Sequence, residues 1–118
     1  MSTYTVVDTD DVEAMRGAFR KVRIALGARA FGVNHISLPP GMSGPEHDEQ
    51  ETGHEEVYLV LDGTGTLQVG DEAVEMVPGR WVRVDASTTR QMTAGDEGLT
   101  FIAIGAPSQA EWTGRPTL

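Results

Sequence analysis

Short apolar runs separated by glycine turns make up most of the chain after about position 22. Within these runs apolar and polar residues alternate with a period of two, which is typical of strands. Turns are indicated by Pro39-Pro40-Gly41, Asp62-Gly63 and Pro78-Gly79. No segment after Phe19 shows helical spacing. The pattern indicates an all-β sandwich or barrel, with strands predicted at 22–26, 31–38, 57–61, 66–69, 73–77, 81–84 and 99–104.

The first twenty residues have a different pattern of apolar and polar residues. Residues 4–7 alternate weakly and are interpreted as a short edge strand. Asp10 and Glu13 resemble a capping box, and Val12, Met15 and Phe19 follow at helical spacing. We therefore predict a short N-terminal helix over about 11–19.

Length and charge restrict the classes of function. The chain of 118 residues suits one domain, 1–118. Its net charge of -9 argues against nucleic-acid binding, because the basic residues are few and scattered. There is no cysteine, so disulfides and thiolate metal sites are excluded. No apolar run approaches the ~20 residues of a membrane span and no signal-peptide pattern opens the chain, so we expect a cytoplasmic protein with no membrane contact.

Histidine and acidic side chains are concentrated in the stretch 40–65, PGMSGPEHDEQETGHEEVYLVLDGTG. It holds two of the three histidines and six carboxylates just before an apolar strand at 57–61. Ligand-capable groups at the entry to a buried strand indicate a pocket. We interpret this stretch as the functional part of the chain.

The spacing in this stretch resembles the first motif of the cupin family. That motif has Gly, five residues, His-x-His, three or four residues, Glu, six residues and Gly. Gly41 with His47, and Glu56 with Gly63, reproduce the two outer spacings. Glu49 stands where the second histidine belongs, and the intervening loop is two or three residues longer.

A second motif of the same family is matched in spacing but not in residue type. That motif has Gly, five residues, Pro-x-Gly, two residues, His, three residues and Asn. Starting from Gly79, the chain has Asp85 for Pro, Ser87 for Gly, Arg90 for His and Ala94 for Asn. The departure replaces the ligand histidine by an arginine.

The resemblance covers roughly residues 31–104. The chain is similar to small stand-alone bacterial cupins. It implies a cupin-type jelly-roll β-barrel, here with the short N-terminal helix. The barrel is expected over about 22–105, preceded by a strand and helix at 4–20 and followed by a tail at 106–118. Family members often dimerise, so we also expect a homodimer.

The resemblance further implies a divalent metal ion, iron, manganese or zinc. By position, His47 is the first ligand, Glu49 the substituted second ligand and Glu56 the carboxylate ligand. His54 lies two residues before Glu56, and if both are on the strand they point the same way. A set of His47, His54, Glu56 and either Glu49 or Glu51 is then chemically adequate.

A metal-free arrangement is equally consistent with these residues. Arg90 cannot ligate a metal, because a guanidinium has no lone pair to donate. Beside Glu56 it forms instead a charge-assisted pair that neutralises a buried carboxylate, leaving His47 and His54 as ordinary pocket or loop residues. Tyr58 shares the strand parity of Glu56, so its hydroxyl either orients a ligand or only packs.

Two functional hypotheses follow, and both involve a small-molecule ligand in the barrel. The first is a metal-dependent oxygenase or isomerase, with Tyr58 or Arg90 orienting an anionic group. The second is a metal-free binding or sensing module in which Arg90 anchors a carboxylate. A purely structural dimer gives no reason for the histidine-rich loop. Arg90 favours binding and the two loop histidines favour metal chemistry, so the sequence leaves both open.

Overall fold

Antiparallel strands form nearly all the regular structure of the chain. The computed structural model describes residues 3–109 and 111–114. Its elements are a 3-10 turn at Thr9–Asp11, β1 (Ala14–Met15), β2 (Phe19–Arg20), α1 (Val22–Leu26), β3 (Gly32–Leu38), β4 (His54–Val69), β5 (Glu72–Met76), β6 (Trp81–Val84) and β7 (Arg90–Pro107). None of the helices in these described ranges is long and apolar enough to cross a membrane.

The two long strands β4 and β7 organise the sheet. The strand order is β1-β2-β3-β7-β4-β5, and β6 pairs with the first half of β4. Every pairing is antiparallel. The loop before β4 is joined to the first half of β7 by bridges Ser43–Thr93 and His47–Arg90. The sheet thereby rolls around an interior that these loop residues help to close.

A bulge in β4 replaces a turn that the sequence predicts. Asp62-Gly63 was expected to end one strand and Gly65 to lead into another, yet β4 runs through both with two register shifts against β7. Gly63 has φ +77, and a Cβ there would overlap the carbonyl oxygen of Gly98. The glycine thus permits a kink within one strand rather than a reversal of the chain.

The bulge also changes which residues face the interior. Before it, even-numbered residues of β4 such as Tyr58 and Val60 are buried; after it, the odd-numbered Leu67 is buried. In β7 the buried residues change in the same region, from Met92 and Ala94 to Leu99, Phe101 and Ala103. The apolar face therefore stays continuous along both bent strands and forms one core.

Two predictions for the first twenty residues are wrong. Residues 4–7 form no strand. Residues 11–19 are not a helix: β1 and β2 form a tight hairpin there, with Arg16 and Gly17 at φ 54 and 71. Two successive positive φ values are typical of a type I′ turn, and the backbone N–H of Ala18 closes this turn on the carbonyl of Met15 at 3.0 Å. The helical spacing of Val12, Met15 and Phe19 is overridden by the pairing of Phe19 with Ile36 of β3.

A short helix does precede the main sheet, but at Val22–Leu26, where the alternation predicted a strand. It ends at Gly27, which has φ 73 and donates its backbone N–H to the carbonyls of Arg23 and Ile24. A left-handed glycine at this position is a common helix stop. Five alternating residues are too few to distinguish a strand from one helical turn and a half.

Candidate functional site

The rolled sheet encloses a cavity of about 190 Å³. Most of its wall is apolar, with side chains from β2, β3, β4 and β7: Phe19, Ile36, Leu38, Leu67, Met92, Phe101 and Ala103. Gly44 and Pro45 of the loop contribute to the rim. The polar part of the wall is formed by Asn34, His47, Glu56, Tyr58 and Arg90. A mainly apolar cavity with a few convergent polar groups is the usual form of a small-molecule site.

Strand register brings the polar groups together. Tyr58 lies on β4, and Glu56 lies two residues earlier on the same face. Arg90 begins β7, and its backbone exchanges two hydrogen bonds with His47, at 3.0 and 2.8 Å. The bridge between the loop and β7 thus positions His47 opposite Glu56.

One carboxylate oxygen is the centre of the cluster. Oε1 of Glu56 accepts hydrogen bonds from Arg90 Nη2 at 2.7 Å, from Tyr58 Oη at 2.7 Å and from His47 Nε2 at 3.3 Å. Burial alone would raise the pKa of Glu56, but the hydrogen bonds from His47, Tyr58 and Arg90 outweigh it and lower the pKa to about 2. Glu56 is therefore a carboxylate throughout the physiological range.

Arg90 is held almost entirely by protein acceptors. Its side chain is 1% exposed, and Nη1 donates to the carbonyls of Asp85 at 3.0 Å and Thr88 at 2.8 Å. Nε donates to the hydroxyl of Tyr58 at 3.3 Å. With the bond to Glu56, four of the five N–H groups of a guanidinium are used within the described residues. Arg90 is a fixed part of the wall.

Tyr58 connects the arginine to the carboxylate. Its hydroxyl accepts from Arg90 and donates to Glu56, and its ring packs edge-to-face on Phe101 with centroids 5.9 Å apart. Burial, together with the charge of Glu56, raises the pKa of Tyr58 well above its usual value. The group therefore remains a neutral phenol and serves as a hydrogen-bond link.

His47 lies at the mouth of the cavity, with its side chain 37% exposed. Its Nδ1 is 3.1 Å from the carbonyl oxygen of Pro45, and its Nε2 faces Glu56. Both partners are acceptors, so an imidazolium satisfies both at once. The hydrogen bond to Glu56 raises the pKa of His47, against the opposing effects of burial and Arg90.

The structure brings together four of the six residues that the sequence singled out. His47, Glu56, Tyr58 and Arg90 form the cluster, whereas His54 and Glu49 lie outside it. His54 shares a sheet face with Glu56, as expected, but two strand residues span ~6.6 Å, and His54 lines a separate groove.

Glu49 is kept away by the fold of its loop. Its backbone N–H donates to Ala86, and its carbonyl accepts from the backbone of Gly53 and the hydroxyl of Thr52. This turn leaves Glu51 exposed as well. The extra loop length therefore folds on itself and does not add ligands to the cavity.

The metal ion implied by the sequence motif does not fit this arrangement. Among residues 3–109 and 111–114 no three histidine or acidic side chains are grouped to hold a metal. The guanidinium of Arg90 stands where the motif has a ligand histidine, and Glu56 Oε1 already has three donors. A divalent cation would have to approach a permanent cation and compete with those donors. The set His47, Glu49, His54, Glu56 is thus not supported as one site.

Asn34 is a cavity residue that the sequence reasoning missed. It lies on β3 opposite Ala103 of β7, which in turn pairs with Tyr58 of β4. A signal was present, since Asn34 has the same parity as the apolar residues Ile36 and Leu38 on an inward face. A polar residue on an otherwise apolar inward face indicates a cavity rather than packed core.

Comparison with known proteins agrees with this architecture. The family model described as "Cupin domain" matches residues 34–105. The chain belongs to the cupin family. The predicted all-β jelly-roll fold is confirmed by solved structures, among them a cupin protein from Bacteroides fragilis with a TM-score of 0.83 and 22% identity, covering 98% of this chain and 93% of that one.

Other solved structures of similar fold have different described activities. A sugar phosphate isomerase from Silicibacter pomeroyi has a TM-score of 0.72 at 23% identity, covering 88% of this chain and 76% of its own. A protein from Thermotoga maritima described as a predicted oxalate decarboxylase has a TM-score of 0.71 at 22% identity, covering 87% and 99%. Comparison with curated proteins gives no match. At these identities the similarity shows the fold alone.

Proposed function

We propose that this cupin domain binds a small organic molecule in its barrel without a metal ion. The observation that carries this proposal is the coordination of Glu56, whose Oε1 accepts from His47, Tyr58 and the buried Arg90. An ion pair supported by further hydrogen bonds is already compensated for burial. It supplies a rigid polar wall for a ligand and needs no cation to neutralise it.

The charge of the cluster favours an anionic group on the ligand. The charges of Glu56 and Arg90 cancel, and the raised pKa of His47 favours an imidazolium at the cavity mouth. The net positive charge is then carried by His47. Arg90 has four N–H groups committed to protein acceptors, so in this proposal it positions Glu56 and Tyr58, while His47 anchors the anionic group.

The size and shape of the cavity favour a small ligand. Its volume of about 190 Å³ is below the roughly 300–1,000 Å³ of pockets for drug-sized molecules. Phe101, Leu67 and Met92 offer apolar contact, and Asn34 offers both a donor and an acceptor. A short organic acid with a polar substituent matches this lining.

A second candidate function is proton transfer without a metal, as in an isomerase. The observation that favours it is the His47–Glu56 pair, in which an ionised carboxylate faces Nε2 at 3.3 Å on the cavity wall. An imidazole oriented by a carboxylate is a common general acid or base. This version keeps the isomerase hypothesis and omits the oxygenase, whose metal the residues do not fit.

The binding proposal is tested by filling the cavity. Ala103 lines it, whereas Ala106 of the same strand lies on the outer face, so Ala103→Leu and Ala106→Leu form a matched pair. Thermal unfolding is measured with a panel of small organic acids. A ligand at 100 times its Kd adds about 2.7 kcal/mol to the stability of the native state.

We expect at least one acid to raise the Tm of the parent and of Ala106→Leu, but not of Ala103→Leu. A panel that leaves the parent Tm unchanged, or an acid that stabilises Ala103→Leu as much as the parent, would contradict the proposal. In the isomerase candidate His47 transfers a proton and is not the main anchor, so His47→Gln should abolish turnover of a bound acid while leaving its affinity within about tenfold; a larger loss of affinity would favour the anchoring role.

A further inference from the structure

A second concave surface lies at the end of the barrel, next to the cavity. It is a groove of about 340 Å³ between the connection from α1 to β3 and the outer ends of β4 and β7. Arg23, Arg29 and Phe31 line one side, and His54 lines the other. We call this surface the arginine groove. It contains the one loop histidine that the central cluster does not use.

The arginine groove and the cavity are lined by neighbouring rows of residues on one face of the sheet. The row Gly32–Gly105–Glu56 crosses three neighbouring strands, and its two glycines lie on the floor of the groove. The next row on the same face, two residues along, includes Asn34 and Tyr58, which line the cavity. A Cβ placed on Gly105 would lie 3.5 Å from Glu56 Cγ and 3.8 Å from its Oε2.

The two glycines are not required by the backbone. Neither Gly32 nor Gly105 has a positive φ, and a Cβ on Gly32 would meet only the carbonyl oxygen of Gly105, at 3.6 Å. These are ordinary van der Waals distances, so the Cβ of an alanine would fit at either position without strain. Two of the three residues in this row, Gly32 and Gly105, therefore place no side chain between the cavity and the arginine groove, and Glu56 is the third.

The charge of the arginine groove contrasts with the rest of the chain. The net charge of the protein is -9, but its basic residues are not evenly scattered, since five of the nine fall between positions 16 and 29. Two of these five, Arg23 and Arg29, line the groove. None of the described residues that line the groove is acidic. Within residues 3–109 and 111–114, neither Arg23 nor Arg29 forms an ion pair with an acidic side chain. Such a local positive field attracts anions.

We propose that the arginine groove binds a phosphate group carried by the molecule whose organic part occupies the barrel. This rests on the proposed function, since it extends the same ligand past Glu56. Two guanidinium groups match a dianionic phosphate in charge and in hydrogen-bond geometry better than they match a single carboxylate. His54 adds a third nitrogen donor, and the glycine row gives the chain of the ligand its path. The substrate class is therefore a small phosphorylated organic molecule.

The test uses inorganic phosphate as the probe and amide shifts in two-dimensional NMR as the readout. Arg23→Gln/Arg29→Gln removes the two groove cations. Arg80→Gln/Arg83→Gln removes two exposed arginines elsewhere, so the change in net charge is the same. We expect phosphate to shift the amides of Gly32, His54 and Gly105 in the parent and in the control pair, and the groove variant to bind at least tenfold more weakly.

Three outcomes would overturn the proposal: no shift at these amides, equal binding by the groove variant, or equal weakening in the control. Acetate at the same concentration tests whether the groove distinguishes a phosphate from a carboxylate. Amide shifts from acetate as large as those from phosphate would contradict the phosphate assignment. Ala103→Leu, which fills the cavity, should bind phosphate like the parent. If the parent binds an organic acid in the cavity but no phosphate in the groove, this inference alone is contradicted. If the parent binds phosphate in the groove but no organic acid in the cavity, the proposed function alone is contradicted.

Discussion

At the scale of single residues, the Glu56–Arg90 pair determines the character of the cavity. Arg90 is buried and its partner carboxylate is 17% exposed. Two opposite charges removed from water are tolerated when each has additional hydrogen bonds, and here Tyr58 and two backbone carbonyls provide them. Removing either member takes away the closest opposite charge of the other.

We predict that Arg90→Met destabilises the protein by about 3–5 kcal/mol, because the largely buried Glu56 loses its closest cation and keeps only the partly exposed His47. Adding Glu56→Gln to Arg90→Met should recover part of that loss. Urea unfolding of the four proteins of the double-mutant cycle measures the coupling. Arg83→Met is the matched control, since the Arg83–Glu55 pair is exposed and surface pairs contribute about 0–1 kcal/mol. A loss from Arg90→Met no larger than that of the control would contradict the account.

The protonation of His47 gives a second prediction. Hydrogen bonding to Glu56 raises the pKa of His47 in the folded protein above its unfolded value of about 6.5. Its contribution to stability is therefore fully present below about pH 6.5 and is lost as the pH rises through the folded pKa. The difference in unfolding free energy between the parent and His47→Asn should shrink over that interval.

An NMR titration of the His47 ring checks the same point directly. Glu56→Gln removes the charged acceptor, so the pKa of His47 should fall in that variant. A parent value at or below about 6.5, or a pKa that Glu56→Gln does not lower, would show that Nε2 is not held by the carboxylate.

At the scale of elements, the bulge between the two halves of β4 sets the course of the sheet. A Cβ on Gly63 would overlap the carbonyl of Gly98, whereas Gly79, with a similar positive φ of 85, has nothing within 4 Å of its Cβ position. Substituting Gly79 therefore measures the free energy cost of the left-handed conformation alone, whereas substituting Gly63 adds the cost of a clash with the neighbouring strand.

We predict that Gly79→Ala costs about 1–2 kcal/mol, from the left-handed conformation alone, and that Gly63→Ala costs distinctly more. Chemical denaturation of both variants measures the difference. Equal costs would mean that β4 and β7 do not approach as closely at the bulge as described here.

The strands were predictable from sequence where alternation ran for several residues. The segments 31–38 and 99–104 lie within or nearly match β3 and β7, and 81–84 matches β6. The continuity of β4 was not predictable, since Asp62-Gly63 has the composition of a turn and only the neighbouring strand makes it a bulge. The first twenty residues were mispredicted because pairing of Phe19 with Ile36, a contact distant in sequence, overrides local spacing.

The candidate site was likewise predictable where strand pairing determines it, and not where a loop does. Motif spacing identified His47, Glu56 and Arg90, because that spacing reflects strand pairing and so fixes how far apart such residues lie. Tyr58 was identified because it shares the strand parity of Glu56. His54 and Glu49 depend on the conformation of a loop longer than the motif, and spacing carries no information about how that loop folds. Asn34 was missed because it lies outside both motifs.

At the scale of the whole molecule, the charge distribution distinguishes the arginine groove from the cavity. An acidic chain carries a basic groove beside a cavity whose own ion pair is neutral. The phosphate group inferred above would be drawn to the groove, while the organic part of the ligand enters the barrel. The expected homodimer stays a prediction, and so does the division into a barrel and terminal segments.

The central claim is that this cupin barrel binds its ligand beside a protein ion pair, with His47 as the anchor, and without a metal ion. Elemental analysis of protein purified without an affinity tag, together with its Tm in added iron, manganese and zinc, tests it most directly. Because an ion that binds only the native state must raise the Tm, we predict substoichiometric metal and an unchanged Tm. One metal ion per chain that is lost in His47→Ala would contradict the claim.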